Sequence, residues 1–159
     1  MIADSIGEHG TIGFLVLGDP ALYDSTIKIV RSIEEHTSLD VDLEVIPGIS
    51  SLALLAARHR ITLNRVGQPV HITTGRRLVE EYGPELGDVA VMLDGSLHCA
   101  GLLPTFGDLM IYWGAQLGLP DEVLISGRLA DVLDEIVAAR RAARERRGWV
   151  MDIYLLRPS

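Results

Sequence analysis

The 159-residue sequence has a single cysteine, Cys99. No disulfide can form within the chain, and a reducing, cytoplasmic setting is the expectation. Aromatic residues make up only 5% of it, so any core must be built mainly from aliphatic side chains. No apolar run approaches the ~20 residues a bilayer span requires, and Met1–Ser5 has neither the basic start nor the apolar core of a signal peptide. Positive charge is also scarce: 14 Lys and Arg stand against 22 Asp and Glu, for a net charge of −8. A general nucleic-acid binder is excluded on that ground, because neutralising phosphates takes a basic face. No G-x-G-x-x-G follows a predicted strand, which sets a nicotinamide-binding domain aside. Neither a Ser/His/Asp nor a metal-ligand spacing is visible, so no metal is expected. One absence is local. Between Val45 and Val79 there is no Asp or Glu, while Arg58, Arg60, Arg65, Arg76 and Arg77 stand there with His59 and His71. In an acidic chain this is where an anionic ligand is expected, unless the arginines pair with acids brought in from Glu34, Glu35, Glu80 or Glu81.

What is present suffices for one full domain or two very small ones, since 48% of the residues are hydrophobic. Glu8-His9-Gly10 reads as the exit of a helix over residues 1–9. Ile12 to Leu17 is an apolar run expected to form a buried strand, and it leads into Gly18-Asp19-Pro20-Ala21-Leu22-Tyr23. Ile27, Val30 and Ile33 then recur at helical spacing, with Asp24, Ser25 or Thr26 as the cap. Residues 41–46 alternate apolar and acidic, as in a strand with one wet face, and run into Pro47-Gly48-Ile49-Ser50-Ser51 and a helix through His59. These are two strand–loop–helix junctions, of the kind that lie outside the carboxyl ends of strands and bind ligands in α/β sheets.

The character changes near Asn64 to Pro69, the expected domain boundary. Further strands are predicted over residues 69–74, 89–93, 109–113, 123–125 and 149–155. Short helices are predicted around Leu78–Tyr82 and between Ser96 and Leu103. The longest helix starts after Ser126-Gly127, with Leu129, Val132, Leu133, Ile136 and Val137 on one face. Its acids come early and Arg140, Arg141, Arg144, Arg146 and Arg147 come late, which complements the helix dipole, and Gly148 is placed to end it.

Taken together, Gly18-Asp19-Pro20, Pro47-Gly48-Ile49-Ser50-Ser51 and the later segments resemble the tetrapyrrole (precorrin) methylases. Those later segments are Ile72–Arg77, Val91–Gly95, Ile111–Ala115, Ser126–Asp131 and Gly148–Leu155. The resemblance implies an α/β, two-domain tetrapyrrole methylase fold, with residues 1–66 from the first domain and 67–159 forming the second. It implies S-adenosylmethionine as methyl donor, held in a cleft between the domains. By similarity, Gly18, Asp19, Pro20 and Tyr23 border the cofactor, and Ser50 and Ser51 lie near its methionine part. Met92 and Leu93 cover the adenine, Tyr112 contributes backbone, and Met151 follows from the hydrophobic pattern. The substrate implied is an anionic tetrapyrrole, which suits Arg58, Arg65, Arg76 and Arg77. In the most similar branch precorrin-5 is methylated at C1 and acetate is released.

Asp19 is the candidate catalytic residue, favouring the sulfonium or activating water; the plainer role is to hold its own loop through backbone N–H groups. The family opens with a strand and a G-x-G-x-G-D loop, and no such segment precedes Thr11. The expectation is a first domain truncated at its N-terminus, an apolar edge at Ile12–Leu17, a homodimer, and weak or absent binding of the cofactor by this form. The other readings are methylation of a different precorrin carbon and a non-catalytic remnant.

Overall fold

A computed structural model describes residues 9–38 and 40–159. Most of the helix expected over 1–9 therefore lies outside the described residues. The chain divides into two compact units, Met1–Ser50 and Ser51–Ser159.

In the first unit, helix α1 (Thr26–His36) forms where the 3.6-residue spacing predicts it and buries Val30. The Asp24 Oδ1 accepts the Thr26 N–H at 2.6 Å, satisfying one of the donors that a helix start leaves unpaired. At the other end, the Thr37 hydroxyl donates to the Ile33 carbonyl at 2.7 Å. The strands expected over residues 12–17 and 41–46 are corrected by the structure: neither belongs to a ladder. Apolar pattern selects a strand only when a neighbour takes up its N–H and C=O groups. Leu15, Leu17 and Ile46 accordingly stay exposed.

The second unit opens with α2 (Ser51–His59) and is built on a five-stranded sheet. Its strands are β1 (Val70–Thr74), β2 (Asp88–Met92), β3 (Met110–Ala115), β4 (Val123–Arg128) and β5 (Asp152–Arg157), in the order β1-β2-β5-β3-β4. β1 and β2 are parallel; β5 lies antiparallel between β2 and β3, and β4 is antiparallel to β3. The carboxyl ends of β1, β2 and β3 thus share one end of the sheet with the start of β5.

One sheet face carries the main core. Val89, Val91, Ile111, Trp113, Ala115, Tyr154 and Leu156 pack there with Leu78 of α3 (Gly75–Glu81), with Cys99 and Leu102, and with Leu129, Leu133 and Ile136 of α5 (Leu129–Arg147). A short helix, α4 (Leu103–Phe106), follows a 3-10 turn at His98–Leu102 on that side. The opposite face is covered by α2, whose Leu52, Leu55 and Ala56 are buried.

Two boundaries move, and one residue changes face. Ser126 and Gly127, expected to close a strand, lie inside β4, because β3 offers partners out to Met110, opposite Arg128. The glycine is needed there, since a Cβ would strike Val132 of α5. Helix α3 begins at Gly75 rather than Leu78, and the Asp94 side chain fills the space beside that glycine. Val137, expected on the core face of α5, is exposed.

Candidate cofactor site

In the first unit, the two glycine-containing turns meet. Gly18 adopts φ +82°, a left-handed conformation that favours glycine. Asp19 then turns its carboxylate in two directions: Oδ1 accepts the Ala21 N–H at 2.8 Å, and Oδ2 accepts the Gly48 N–H at 3.1 Å. A carboxylate accepts and never donates, so one side chain ties together turns 29 residues apart. Gly48 lies against the Gly18 carbonyl so closely that no Cβ fits between them. Gly18, Asp19, Pro20 and Tyr23 on one turn and Ser50 on the other thus belong to one local assembly. Tyr23 is exposed and also left-handed, at φ +52°.

In the second unit, Ser51 is the first residue of α2. Met92 ends β2. Leu93 follows at φ +53° and is 64% exposed, an apolar side chain on a conformation that L-residues seldom adopt. Met151, also exposed, immediately precedes β5, and its carbonyl accepts the Gln116 N–H at 2.9 Å. Since β2 and β5 are neighbours, Leu93 and Met151 leave the sheet at adjacent strand ends. Tyr112 is further in, paired in register with Leu155 and Ser126. Its ring stands edge-on to His59, centroids 5.6 Å apart, with the Arg157 guanidinium 5.6 Å from its centre.

The arginines are spread along the second unit and most have acids of their own. Arg58 Nε lies 3.0 Å from Glu122, and Arg65 lies 3.1 Å from Asp88, which Arg157 also meets at 3.0 Å. Arg77 pairs with Glu81 one helical turn on. The Thr73 hydroxyl, donating at 2.8 Å, and the Arg77 charge hold the Glu81 carboxyl below its ordinary value. Arg76 is exposed and forms no ion pair among the described residues.

From the sequence, Asp94 stood only as part of the Val91–Gly95 segment, and Arg140 as one of several dipole-complementing arginines. Both are hubs. Asp94 is 3% exposed and accepts four hydrogen bonds: from Ser96 N–H (3.0 Å), His98 N–H (2.8 Å), His98 Nδ1 (2.7 Å) and the Tyr154 hydroxyl (2.5 Å). Burial works against the charged carboxylate. The Tyr154, His98 and Ser96 bonds outweigh it, leaving Asp94 below its ordinary value. Asp152 goes the other way: burial lifts it, and Arg140 and Trp113 only partly offset that. Burial also pushes the Cys99 thiol up to about 12 and raises the Tyr154 hydroxyl. The sequence held a signal for Arg140, which continues the buried stripe Leu129, Leu133, Ile136 in register.

Among the described residues no group of three or more His, Cys, Asp or Glu is placed to hold a metal ion, and no helix is long and apolar enough to cross a membrane. Residues 1–133 match the sequence model of the Tetrapyrrole (Corrin/Porphyrin) Methylases. The chain belongs to the tetrapyrrole methylase family. Among its relatives in that family, a precorrin-6A synthase [deacetylating] from Sinorhizobium sp is 50% identical over 157 residues, which is 99% of this chain and 59% of that protein. A solved structure, that of a cobalamin synthesis related protein (CobF) from Corynebacterium diphtheriae, superimposes with TM-score 0.91 at 38% identity, over 98% of this chain and 66% of that one. A uroporphyrin-III C-methyltransferase from Thermus thermophilus, complexed with S-adenyl homocysteine, has the same fold at 17% identity and TM-score 0.55, over 87% of this chain and 62% of that one. The chain thus spans about 60% of the length of these tetrapyrrole methylase relatives.

Proposed function

We propose that this chain carries the cofactor-binding residues of an S-adenosylmethionine-dependent C-methyltransferase of corrin biosynthesis, which methylates precorrin-5 at C1 and releases acetate to give precorrin-6A. The observation that carries this reading is the 50% identity to a deacetylating precorrin-6A synthase over 157 residues. In this reading residues 1–66 come from a cofactor- and substrate-binding domain and residues 67–159 form the second domain; the change of composition near Asn64–Pro69 supports that division.

The donor set fits such a cofactor. Adenosine asks for apolar cover and backbone polar groups rather than charged ligands. Leu93 and Met151 are exposed apolar side chains at neighbouring strand ends, with Met92 and Tyr112 on the same strands or the next. Gly18, Asp19, Pro20, Tyr23, Ser50 and Ser51 are the further proposed contacts. S-adenosylmethionine, when bound, supplies an electrophilic methyl on a sulfonium. The chain's own work is then mainly alignment. Asp19 fixes the Gly18 and Gly48 turns to each other, and its carboxylate keeps acceptor capacity beyond those two bonds. In this reading the same carboxylate favours the positive charge of the sulfonium or activates water during acetate release. Arg76 has no acid of its own among the described residues and is the most available to a substrate carboxylate. Arg58, Arg65 and Arg77 are the other proposed substrate contacts, each shared with an acid already in place. A homodimer and a cytoplasmic location complete the proposal; light scattering on the purified chain tests the first.

The test of function is incubation of the chain with S-adenosylmethionine carrying a ¹³C methyl and with precorrin-5. The expected product contains the label at C1 and has lost its acetyl group as free acetate. A labelled product that retains the acetyl group overturns the assignment of C1, and saturating cofactor without any transfer overturns the enzyme reading.

A further inference from the structure

Two of the proposed cofactor contacts, Leu93 and Met151, are each followed in sequence by an aspartate, and the two aspartates are joined by one arginine. Arg140 Nη2 donates to the Asp94 carbonyl at 2.9 Å, while its Nε donates to Asp152 Oδ2 at 3.0 Å. The indole Nε1 of Trp113 donates to the same Asp152 oxygen at 3.0 Å. Arg140 is 12% exposed, so its guanidinium sits largely out of water between the two strand ends. A planar fork with fixed donor directions can hold two acceptors at a set separation, which a lysine ammonium cannot do in the same way.

The segment it holds is under strain. Leu93 is left-handed, with an apolar side chain turned to solvent, and Leu97 a few residues on is left-handed as well. Backbone of that kind persists only where its surroundings over-determine it, and such places cluster at ligand sites. Here the surroundings are explicit. The Asp94 side chain takes four hydrogen bonds, from Ser96 and His98 in the turn that follows and from Tyr154 of β5, and Gly75 leaves room for it. Arg140 takes the Asp94 main-chain carbonyl. The β2–β5 register pairs Val91 with Tyr154, and continued two residues further it directs Leu93 toward Asp152. The arginine therefore spans the place where the two strands part.

We infer that Arg140 is a positioning residue for the cofactor: it clamps the Leu93–Asp94 turn to the Met151–Asp152 strand start, and so sets the spacing of Leu93 and Met151, two of the apolar side chains proposed to line the cofactor. The inference rests on the proposed cofactor reading and deepens it. Arg140 itself touches neither reactant, so its loss should weaken cofactor binding without altering the chemical step.

The experiment is calorimetric titration of S-adenosylhomocysteine into the full chain and its Arg140→Lys and Arg140→Met variants, at a temperature where circular dichroism shows all three folded. Arg140→Lys keeps the charge beside Asp152 and gives up the simultaneous bond to the Asp94 carbonyl; Arg140→Met gives up both. A graded loss is expected, roughly tenfold in Kd for Arg140→Met and less for Arg140→Lys, the scale of one charge-assisted hydrogen bond. In the methyl-transfer assay, KM for S-adenosylmethionine should rise in the same order while kcat at saturating cofactor stays level. A purely structural role would lower the unfolding midpoint and leave Kd and KM unchanged in the folded protein, which overturns the clamp. If Arg140→Met does not fold, Arg140→Lys decides alone, and an unchanged Kd overturns it. Absence of heat from the unsubstituted chain would instead sink the cofactor reading, and the clamp with it.

Discussion

At the scale of single residues, three substitutions separate the roles described above. Gly48→Ala places a Cβ on the Gly18 carbonyl and forces the two turns apart, breaking the Asp19–Gly48 bond. Cofactor affinity is expected to fall about tenfold or more, read by calorimetry, in line with the loss of a hydrogen bond to a charged group. Asp88 is fully buried with Arg65 and Arg157 beside it. Asp88→Asn leaves the largely buried Arg157 without its counter-charge and is expected to cost about 3 kcal/mol in urea denaturation. Asp94 provides the pH test. Its folded value lies below the ordinary 3.8, so its contribution to stability is complete above that pH and is lost as pH falls through the lowered folded value. Stability measured from pH 7 downward should therefore fall less steeply below about pH 4 in Asp94→Asn than in the unsubstituted chain; parallel curves would contradict the assignment. Asp94 and Arg140 were legible only in part. Asp-Gly is the ordinary mark of a turn, and nothing in the sequence says that Tyr154, sixty residues on, donates to that aspartate.

At the scale of elements, α5 shows how far local rules reach. Its length, its early acids and late arginines, and its stop at Gly148 are all readable, and Gly148 is left-handed at φ +76° with its N–H on the Arg144 carbonyl at 2.7 Å. Its start is less so: Leu129 and Ala130 give their N–H groups to the carbonyls of Leu109 and Gly107, a long-range cap that spacing cannot reveal. Gly148→Ala is expected to cost about 1 kcal/mol, seen as a lower urea midpoint at unchanged slope. Strands were legible where a partner exists. The predicted positions of β1, β2, β3 and β5 hold to within a few residues, whereas residues 12–17 and 41–46 have a strand's pattern and no ladder. The difference is not in those residues: pairing depends on what lies alongside. β4 was predicted too short for a related reason, since Gly127 is a packing requirement against Val132 and not a turn.

At the scale of the whole molecule, family membership was the most legible property, because the sequence carries two turns in fixed order together with the later segments of the family, and the structure joins those turns through Asp19 in the first unit. The core of the second unit gives a simple readout of global opening. Cys99 is fully buried and its thiol is pushed up to about 12, so it should not react with a thiol reagent at pH 8 until the sheet opens. Labelling of Cys99 at the rate of a free thiol in native conditions would contradict that packing. The most direct measurement of the function is the fate of the ¹³C methyl from S-adenosylmethionine in an incubation with precorrin-5, followed by mass spectrometry and carbon NMR. Label at C1 together with stoichiometric free acetate is the expected result. Label at any other carbon, or a methylated tetrapyrrole that keeps its acetyl group, would contradict it.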